Sequence, residues 1–182
     1  MVRCYIGLGS NLAGPVEQVR AALGALAAVP ESRLAGHSAL YRSPPMGPPG
    51  QPDYVNAVAA LDTDLGPEAL LDALQAIETD QGRRRDGERW GPRTLDLDLL
   101  LYGDRTLTTP RLTLPHPGVA ERAFVLVPLC ELEPGLALPD GRRVCDRAAA
   151  VGDAGLERIG PPGPEGRGTL SATDTDGGRS SE

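Results

Sequence analysis

Two aspartates and a group of arginines stand close together between residues 83 and 101. Asp96 and Asp98 lie in the leucine-rich segment LDLDLLL, and five arginines precede them between positions 83 and 93. If this segment is a β-strand, both carboxylates lie on one face, about 7 Å apart. Carboxylates at this spacing suit one or two Mg²⁺ ions, and guanidinium groups bind phosphate oxygens in a bidentate fork. We interpret the segment as a candidate site for phosphotransfer from a Mg²⁺-bound nucleotide.

The leucines of the same segment predict which way the strand faces. Alternation places Leu100 on the face of the two aspartates and the remaining leucines, Leu95, Leu97, Leu99 and Leu101, on the other. A row of leucines requires a core, so we expect the aspartates to face away from it.

Apolar periodicity predicts the elements that position this strand. In chain order they are a strand over 3–9, a helix over 15–28, strands over 34–42 and 54–62, a helix over 68–81, and the strand with the aspartates. This β-α-β-β-α-β order is that of the ferredoxin-like α+β fold, an antiparallel sheet. We expect both helices on one face of the sheet, the active site on the other, and C-terminal additions after the sheet.

A stiff loop leads into the strand over 54–62. Residues 43–52 contain five prolines, which keep a loop of this length out of regular structure. Long loops inside compact domains are often functional. Tyr54 and Asn56 follow the loop on one face of the strand, where they and the aspartates could line a common cavity.

Composition excludes several classes of function. The chain has 182 residues and a formal charge of −7, and all 18 of its basic residues are arginine. The absence of lysine rules out a P-loop lysine and a Schiff-base amine, and the acidic balance disfavours nucleic-acid binding. The segment GLGSNL at 7–12 has Leu12 in place of the third glycine of a dinucleotide-binding loop, so we interpret it as a turn into a helix.

The cysteines and the ends of the chain suggest its setting. Cys4, Cys130 and Cys145 are odd in number and contain no CxxC pair, which argues against a disulfide framework and fits a reducing compartment. No basic-then-apolar leader and no long apolar run is present, so we expect a cytoplasmic protein without a membrane segment. Residues 160–182 are rich in Gly, Pro, Ser and Thr, and we expect a disordered tail.

Five segments in colinear order give the chain a resemblance to a known family. They are GSNL at 9–12, YRSPP at 41–45, QPDYVN at 51–56, ERWGPRTLDLD at 88–98 and LPH at 114–116. Over residues 2–146 the chain resembles the 6-hydroxymethyl-7,8-dihydropterin pyrophosphokinase family of folate biosynthesis. The resemblance implies a ferredoxin-like pyrophosphokinase domain over 1–159, with the tail at 160–182. It also implies transfer of pyrophosphate from ATP to the hydroxymethyl group of the pterin, with release of AMP.

The resemblance implies roles for individual residues. The catalytic residues would be Arg83, Arg93, Asp96 and Asp98, and the two aspartates would also hold two Mg²⁺ ions. The pterin would contact the proline-rich loop, an amide and two aromatic rings: Ser43, Pro44, Met46, Tyr54, Asn56 and Phe124. ATP would contact residues of the arginine loop and of the helix and strands beside it: Gln75, Glu78, Arg85, Arg89, Trp90, Leu99, Arg111, Thr113, His116 and Arg122. We expect residues 82–92 to close as a lid over ATP.

Other readings remain open at this point. The proton of the attacking alcohol has two candidate acceptors, Asp98 and a metal-bound hydroxide. A non-catalytic ferredoxin-like ligand-binding module would explain the fold but not the Asp-x-Asp segment beside the arginines. Another metal-dependent nucleotidyl transferase or nuclease would use the aspartates but requires nucleic-acid binding. We expect a monomer that binds ATP and the pterin, with no nucleic-acid or membrane partner.

Overall fold

The computed structural model describes residues 1–11, 14–44, 53–84, 95–153 and 155–160. Within these ranges the chain forms eight strands and four helices. They are β1 Val2–Ser10, α1 Pro15–Ala27, β2 Ser32–His37, β3 Leu40–Ser43, β4 Tyr54–Thr63, α2 Pro67–Arg84, β5 Asp96–Tyr102, β6 Leu107–Thr108, β7 Thr113–Leu114, α3 Ala123–Leu132, α4 Val144–Val151 and β8 Glu157–Gly160.

The main sheet is antiparallel and has six strands within the described ranges, in the order β5-β1-β4-β3-β8, with β2 also paired to β4. Taken with α1 and α2, the strands from β1 to β5 form the ferredoxin-like β-α-β-β-α-β arrangement. The predicted α+β fold is therefore confirmed. A separate hairpin of β6 and β7 stands beside β5.

Two hydrophobic clusters cover the two faces of the sheet. On one face, apolar side chains of α1 and α2 pack on Ile6, Ala59 and Leu97. On the other face, α3 and α4 pack on Tyr5, Val58 and other buried residues. The apolar segment from Phe124 to Leu129, for which the sequence predicted no fold, thus forms a helix on the face of the site and covers part of it.

The strand register corrects one face assignment. Tyr5 of β1 pairs with Leu101 of β5, whereas the next residue, Ile6, pairs with Leu99. The resulting bulge at Leu100 interrupts the alternation, because two residues of β5 oppose one of β1. Leu101 therefore lies in the cluster under α3 and not with Leu97 and Leu99, as predicted.

Two element boundaries also differ from the predictions. The strand expected over 34–42 is two strands, because Ser38 leaves the ladder and its backbone and hydroxyl both bond to Val58. Gly82 does not end the second helix, which continues to Arg84. The first three residues of the expected lid are thus helical, and the rest of it lies outside the described residues.

The C-terminal part of the chain adds a disulfide and a strand. Cys130 of α3 is bonded to Cys145 of α4, with their Cα atoms 5.0 Å apart, so the argument against a disulfide was wrong for this pair, while Cys4 is free and buried. Packing of α3 against α4 brings the two residues together across a separation of 15 residues, which spacing alone did not reveal. Beyond α4, β8 pairs with β3 and includes Gly160, the first residue of the predicted tail, whose remainder lies outside the described residues. None of the described helices is long and apolar enough to span a bilayer.

Candidate active site

A cavity of about 490 Å³ opens beside α3, on the part of that face of the sheet that α3 leaves uncovered. It lies where β1 ends, β4 and β5 begin and α3 starts. Eight of the residues chosen from the sequence line it together, namely Ser43, Pro44, Tyr54, Asn56, Asp96, Asp98, Arg122 and Phe124. The structure thus gathers the two aspartates, the amide and the two aromatic rings around one space.

The strand register explains why the floor of this cavity is open. Asp96 of β5 lies opposite Gly9 of β1, which lies opposite Asn56 of β4, and Asp98 lies opposite Gly7. The two glycines leave the floor bare between the carboxylates and the amide. A Cβ atom at Gly9 would lie 3.1 Å from Nδ2 of Asn56. A larger residue at position 9 would therefore displace the amide of Asn56. The backbones of Asp96 and Asn56 are two strand spacings apart, which is about 10 Å.

The two carboxylates stand on a strand that α2 holds from behind. The backbone N–H of Leu97, between the aspartates, donates a hydrogen bond of 2.7 Å to Oε2 of Glu78. Asp96 is exposed, and the side chain of Asp98 is 48% exposed. Each aspartate has a buried apolar residue on either side, and the Glu78 carboxylate lies behind the strand. These contacts fix the positions of the two aspartates.

The donor set is compatible with magnesium. Within the described ranges no group of three or more His, Cys, Asp or Glu side chains is placed to hold a metal ion. Mg²⁺ does not need such a cage, because it is commonly bound by one or two carboxylates and by substrate phosphates. Asp96 and Asp98, adjacent on one strand and open to one cavity, fit that requirement.

The amide of Asn56 is held in a fixed orientation. Ser43 Oγ donates a hydrogen bond of 2.9 Å to Oδ1 of Asn56, which is 6% exposed. The amide nitrogen then points towards Gly9 and the cavity floor. Tyr54 and Phe124 are partly exposed on two different walls, β4 and α3, so a flat heteroaromatic ring between them could stack and hydrogen-bond to the amide at once.

A second cavity, of about 280 Å³, lies on the far side of Asp98. Four of the residues assigned to ATP line it: Leu99, Arg111, Thr113 and His116. Gln75 reaches the same place, because its Oε1 accepts a hydrogen bond of 3.2 Å from Arg111. Asp98 lines both cavities and therefore stands between the two candidate ligand sites.

His116 is neutral and points one ring nitrogen at Asp98. Burial lowers the pKa of His116 below its usual value of 6.5, and Arg122 lowers it further, while Asp98 acts in the opposite direction. Nδ1 accepts a hydrogen bond of 3.0 Å from the N–H of Gly118, so the ring proton is on Nε2. Nε2 lies 4.0 Å from Oδ1 of Asp98, too far for a hydrogen bond but close enough to share a ligand.

The two described arginines of the site differ in their surroundings. Arg111 pairs with Asp72 at 2.7 Å and with Glu68 at 3.2 Å, both on α2. Arg122 precedes α3 and stacks on the ring of Phe124 at 5.9 Å. Its guanidinium passes so close to Gly118 that a Cβ there would lie 2.4 Å from Nε, so this arginine position depends on the glycine.

Several assigned residues lie outside the described ones, and several lining residues were not foreseen. Met46, Arg85, Arg89, Trp90 and Arg93 fall in the first group, as does the side chain of Arg83. In the second group are Gly7, Gly9 and Leu156. The glycines carry a signal in the GLG spacing at 7–9, which by itself indicates a turn, whereas nothing in the sequence points to Leu156.

Fold and site together define a ferredoxin-like protein with two neighbouring cavities that meet at Asp98, one of a pair of carboxylates on β5. Residues 5–134 match the sequence model of the family described as 7,8-dihydro-6-hydroxymethylpterin-pyrophosphokinase (HPPK). The chain is 58% identical over 157 residues to 2-amino-4-hydroxy-6-hydroxymethyldihydropteridine pyrophosphokinase of Pseudomonas aeruginosa, covering 86% of this chain and 96% of that protein. The protein of the same name from Haemophilus influenzae is 47% identical, over 88% of this chain and 100% of that protein.

Solved structures agree on the fold. A crystal structure of HPPK-DHPS in complex with substrates aligns with a TM-score of 0.68 at 10% identity, covering 86% of this chain and 46% of that one. A triple mutant of Plasmodium falciparum HPPK-DHPS with SDX-DHP aligns with a TM-score of 0.69 at 12% identity, over 87% of this chain and 48% of that one. This chain spans about half the length of those proteins, and at such identity the likeness shows the fold alone.

The chain belongs to the 7,8-dihydro-6-hydroxymethylpterin-pyrophosphokinase family. It is accordingly a pyrophosphokinase of folate biosynthesis.

Proposed function

We propose that the chain transfers the β,γ-pyrophosphoryl group of ATP to the hydroxymethyl oxygen of 6-hydroxymethyl-7,8-dihydropterin. The observation that carries this proposal is the arrangement of the two cavities, which share Asp98. The larger cavity has the aromatic walls and the amide that a pterin needs. The smaller one has the polar and cationic groups that a nucleotide needs, and the reacting groups would meet between them.

The reaction places specific demands on the residues between the cavities. The hydroxymethyl oxygen attacks the β-phosphorus of ATP, the bond between that phosphorus and the α,β-bridging oxygen breaks, and AMP leaves while the alcohol loses its proton. Such a transfer requires alignment of the two substrates and neutralisation of charge more than covalent participation by the protein. Tyr54, Phe124 and Asn56 would hold the pterin ring so that its hydroxymethyl arm points to Asp98.

Asp96 and Asp98 would hold two Mg²⁺ ions. Bound there, magnesium supplies neutralisation of the phosphate charge and alignment of the attacking and leaving oxygens. Glu78 would keep the strand between the carboxylates in register through its bond to Leu97. Asp98, half-exposed at the junction of the cavities, is one of the two candidate acceptors of the alcohol proton.

The phosphates would be bound from the opposite side by arginines. Arg122 lines the larger cavity and faces it from the start of α3. Arg83, Arg85, Arg89 and Arg93 belong to the proposed phosphate-binding set by the resemblance of their motif, with Arg83 and Arg93 as catalytic residues and residues 82–92 as a lid. Gln75, Arg111, Thr113 and His116 would bind the nucleotide in the smaller cavity.

We also propose that the enzyme acts in the cytoplasm, as a monomer with small-molecule substrates and no nucleic-acid partner. The charge of −7 supports the last point, because nucleic-acid binding depends on a basic surface. The disulfide between Cys130 and Cys145 removes the cysteines from the support for the cytoplasmic location. The proposed domain extends over 1–159.

Product analysis tests the proposed function. The protein is incubated with Mg²⁺, ATP and the hydroxymethyl dihydropterin, and nucleotides and pterins are separated by chromatography. We expect AMP and pterin diphosphate in equal amounts, and neither product when the pterin or Mg²⁺ is omitted. ADP as the product would reject pyrophosphoryl transfer, and AMP without pterin diphosphate would indicate hydrolysis.

A further inference from the structure

The turn before β8 contributes to the larger cavity from a part of the chain that carries no recognised motif. Leu156, immediately before β8, is half-buried and lines the cavity together with Tyr54, Asn56 and Phe124. Its neighbour Gly155 has a φ of +84°, and a Cβ there would lie 2.9 Å from Cγ of Pro44. The turn before β8 therefore packs against Pro44, which stands at the start of the proline-rich loop.

A polar network fastens β8 to the face of the sheet that carries the cavity. Arg158 of β8 lies opposite Tyr41 of β3, which lies opposite Asn56 of β4. Nη2 of Arg158 donates to Oε2 of Glu131 on α3 at 2.7 Å, and the Tyr41 hydroxyl donates to Oε1 of the same carboxylate at 2.7 Å. The backbone N–H of Ala39 donates to Oε1 at 3.3 Å.

The network is anchored inside the protein although its arginine is exposed. The Glu131 side chain is 21% exposed and that of Arg158 is 53% exposed. Burial raises the pKa of Tyr41 to about 12, so its hydroxyl keeps its proton and acts as the donor to Glu131. Glu131 thus ties β3, α3 and β8 together, and its partner Arg158 is two residues from Leu156, which forms the cavity wall.

We propose that Leu156 is a contact residue for the pterin and that Glu131 and Arg158 are positioning residues that hold it against the cavity. This inference rests on the proposed function and names a wall of the same site. Its basis is that the Arg158, Tyr41 and Asn56 positions form one continuous row of the sheet, so a shift of β8 moves the wall relative to the amide. Because none of the described residues of β8 and of the turn before it lines the smaller cavity, we expect the effect to be specific to the pterin.

The test measures pterin affinity and nucleotide affinity separately in the full chain. The probe for the first is the fluorescence of 6-hydroxymethylpterin, titrated in the presence of Mg²⁺ and α,β-methylene-ATP. The probe for the second is α,β-methylene-ATP with Mg²⁺ alone, followed by calorimetry. Leu156→Ala is expected to raise the Kd of the pterin about fivefold to tenfold, because an apolar contact is lost, and to leave the Kd of the nucleotide analogue unchanged. Leu156→Met is expected to remain within twofold of the parent protein.

Arg158→Ala is expected to weaken pterin binding about threefold to fivefold, and Arg158→Lys, which can still pair with Glu131, to restore it. Arg142→Ala is the matched control, because it removes a similarly exposed arginine that pairs with Asp140 at 2.8 Å away from the cavity. It should change neither affinity.

Two results would overturn the inference. One is a pterin Kd for Leu156→Ala within twofold of the parent value. The other is an equal loss of nucleotide affinity in Arg158→Ala, which would show a general structural role. Both outcomes are distinguishable from failure of the proposed function, which the parent protein reveals by making no AMP in the product assay.

Discussion

Two rows of the same sheet use charged residues in opposite ways. Near one end of β1, Arg3 lies opposite Asp62 of β4, which lies opposite Arg33 of β2. About 13 to 20 Å away on the same face of β1, Gly7 lies opposite Asp98 and Gly9 lies between Asp96 and Asn56. In the first set of positions, which we call the paired row, the Asp62 carboxylate is enclosed by cations of the protein. In the second, which we call the cavity row, the carboxylates of Asp96 and Asp98 border a cavity.

The surroundings of the carboxylates show the difference. Asp62 is 12% exposed and accepts hydrogen bonds from Arg3 at 3.1 Å and from Arg33 at 2.9 Å. Asp98 is 48% exposed and approaches a neutral histidine at 4.0 Å. In the paired row the guanidinium groups of Arg3 and Arg33 neutralise the Asp62 carboxylate, and these interactions stabilise the fold. The cavity row leaves charge at Asp98 to be neutralised by a ligand, which is what a site for metal and phosphate requires.

Substitution in the cavity row should have the largest effect on activity. Asp96→Ala is expected to reduce kcat by at least about a hundredfold, since loss of a group that stabilises transition-state charge typically costs that much or more. The melting temperature should not fall, because Asp96 is exposed. Steady-state kinetics and thermal denaturation check the two parts. Turnover within tenfold of the parent would remove Asp96 from the reaction and break the comparison.

Removal of an aromatic wall should affect one substrate. Tyr54→Ala is expected to raise the KM for the pterin about tenfold while leaving the KM for ATP nearly constant, because stacked rings contribute about 1 kcal/mol beyond burial. Tyr54→Phe keeps the ring and serves as the control. Equal KM values for the pterin in the alanine variant and the parent would exclude Tyr54 from the cavity's function.

Substitution in the paired row should affect stability alone. Asp62→Asn is expected to lower the free energy of unfolding by about 1–3 kcal/mol, since it leaves Arg3 and Arg33 without their shared carboxylate. Urea denaturation measures this change, and kcat should stay within twofold. Asp140→Asn is a control, because Asp140 pairs with Arg142 in an exposed position and such pairs contribute little. A fall in kcat without loss of stability would contradict the assignment of this row.

The stability of the paired row should also depend on pH. Hydrogen bonding to Arg3, with Arg33 adding to it, holds the pKa of Asp62 below its usual value of 3.8. A depressed pKa in the folded state means that the stabilisation is complete above the pKa of the unfolded chain and is lost as pH falls through the folded value. The stability gap between the parent and Asp62→Asn should therefore be constant from pH 7 to about pH 5 and shrink below about pH 4. A gap that persists unchanged at pH 2 would show that charge is not its source.

The fold and most of the site composition could be predicted from the sequence. The alternation of Tyr54, Asn56 and Val58 placed the first two on the cavity side correctly, because β4 is regular along its length. Alternation failed at Leu101, where a bulge shifts the register, and bulges leave no signal in apolar periodicity. Likewise, the pairing of Cys130 with Cys145 depends on helix packing and not on spacing.

Other features depended on contacts between distant parts of the chain. Glycines at positions 7 and 9 form the cavity floor only because the register sets them beside Asp98 and Asp96. Leu156 reaches the cavity because β8 crosses to β3, more than 100 residues earlier in the chain. Such placements follow from tertiary packing, which a local pattern does not contain.

Magnesium-dependent binding of a nucleotide tests the central difference between the two rows most directly. The Kd of α,β-methylene-ATP is measured by calorimetry with and without Mg²⁺ for the parent, for Asp96→Asn with Asp98→Asn, and for Asp62→Asn. We expect Mg²⁺ to tighten binding at least tenfold in the parent and in Asp62→Asn, and to have no effect in the double variant. An undiminished Mg²⁺ effect in the double variant would show that these carboxylates do not hold the metal.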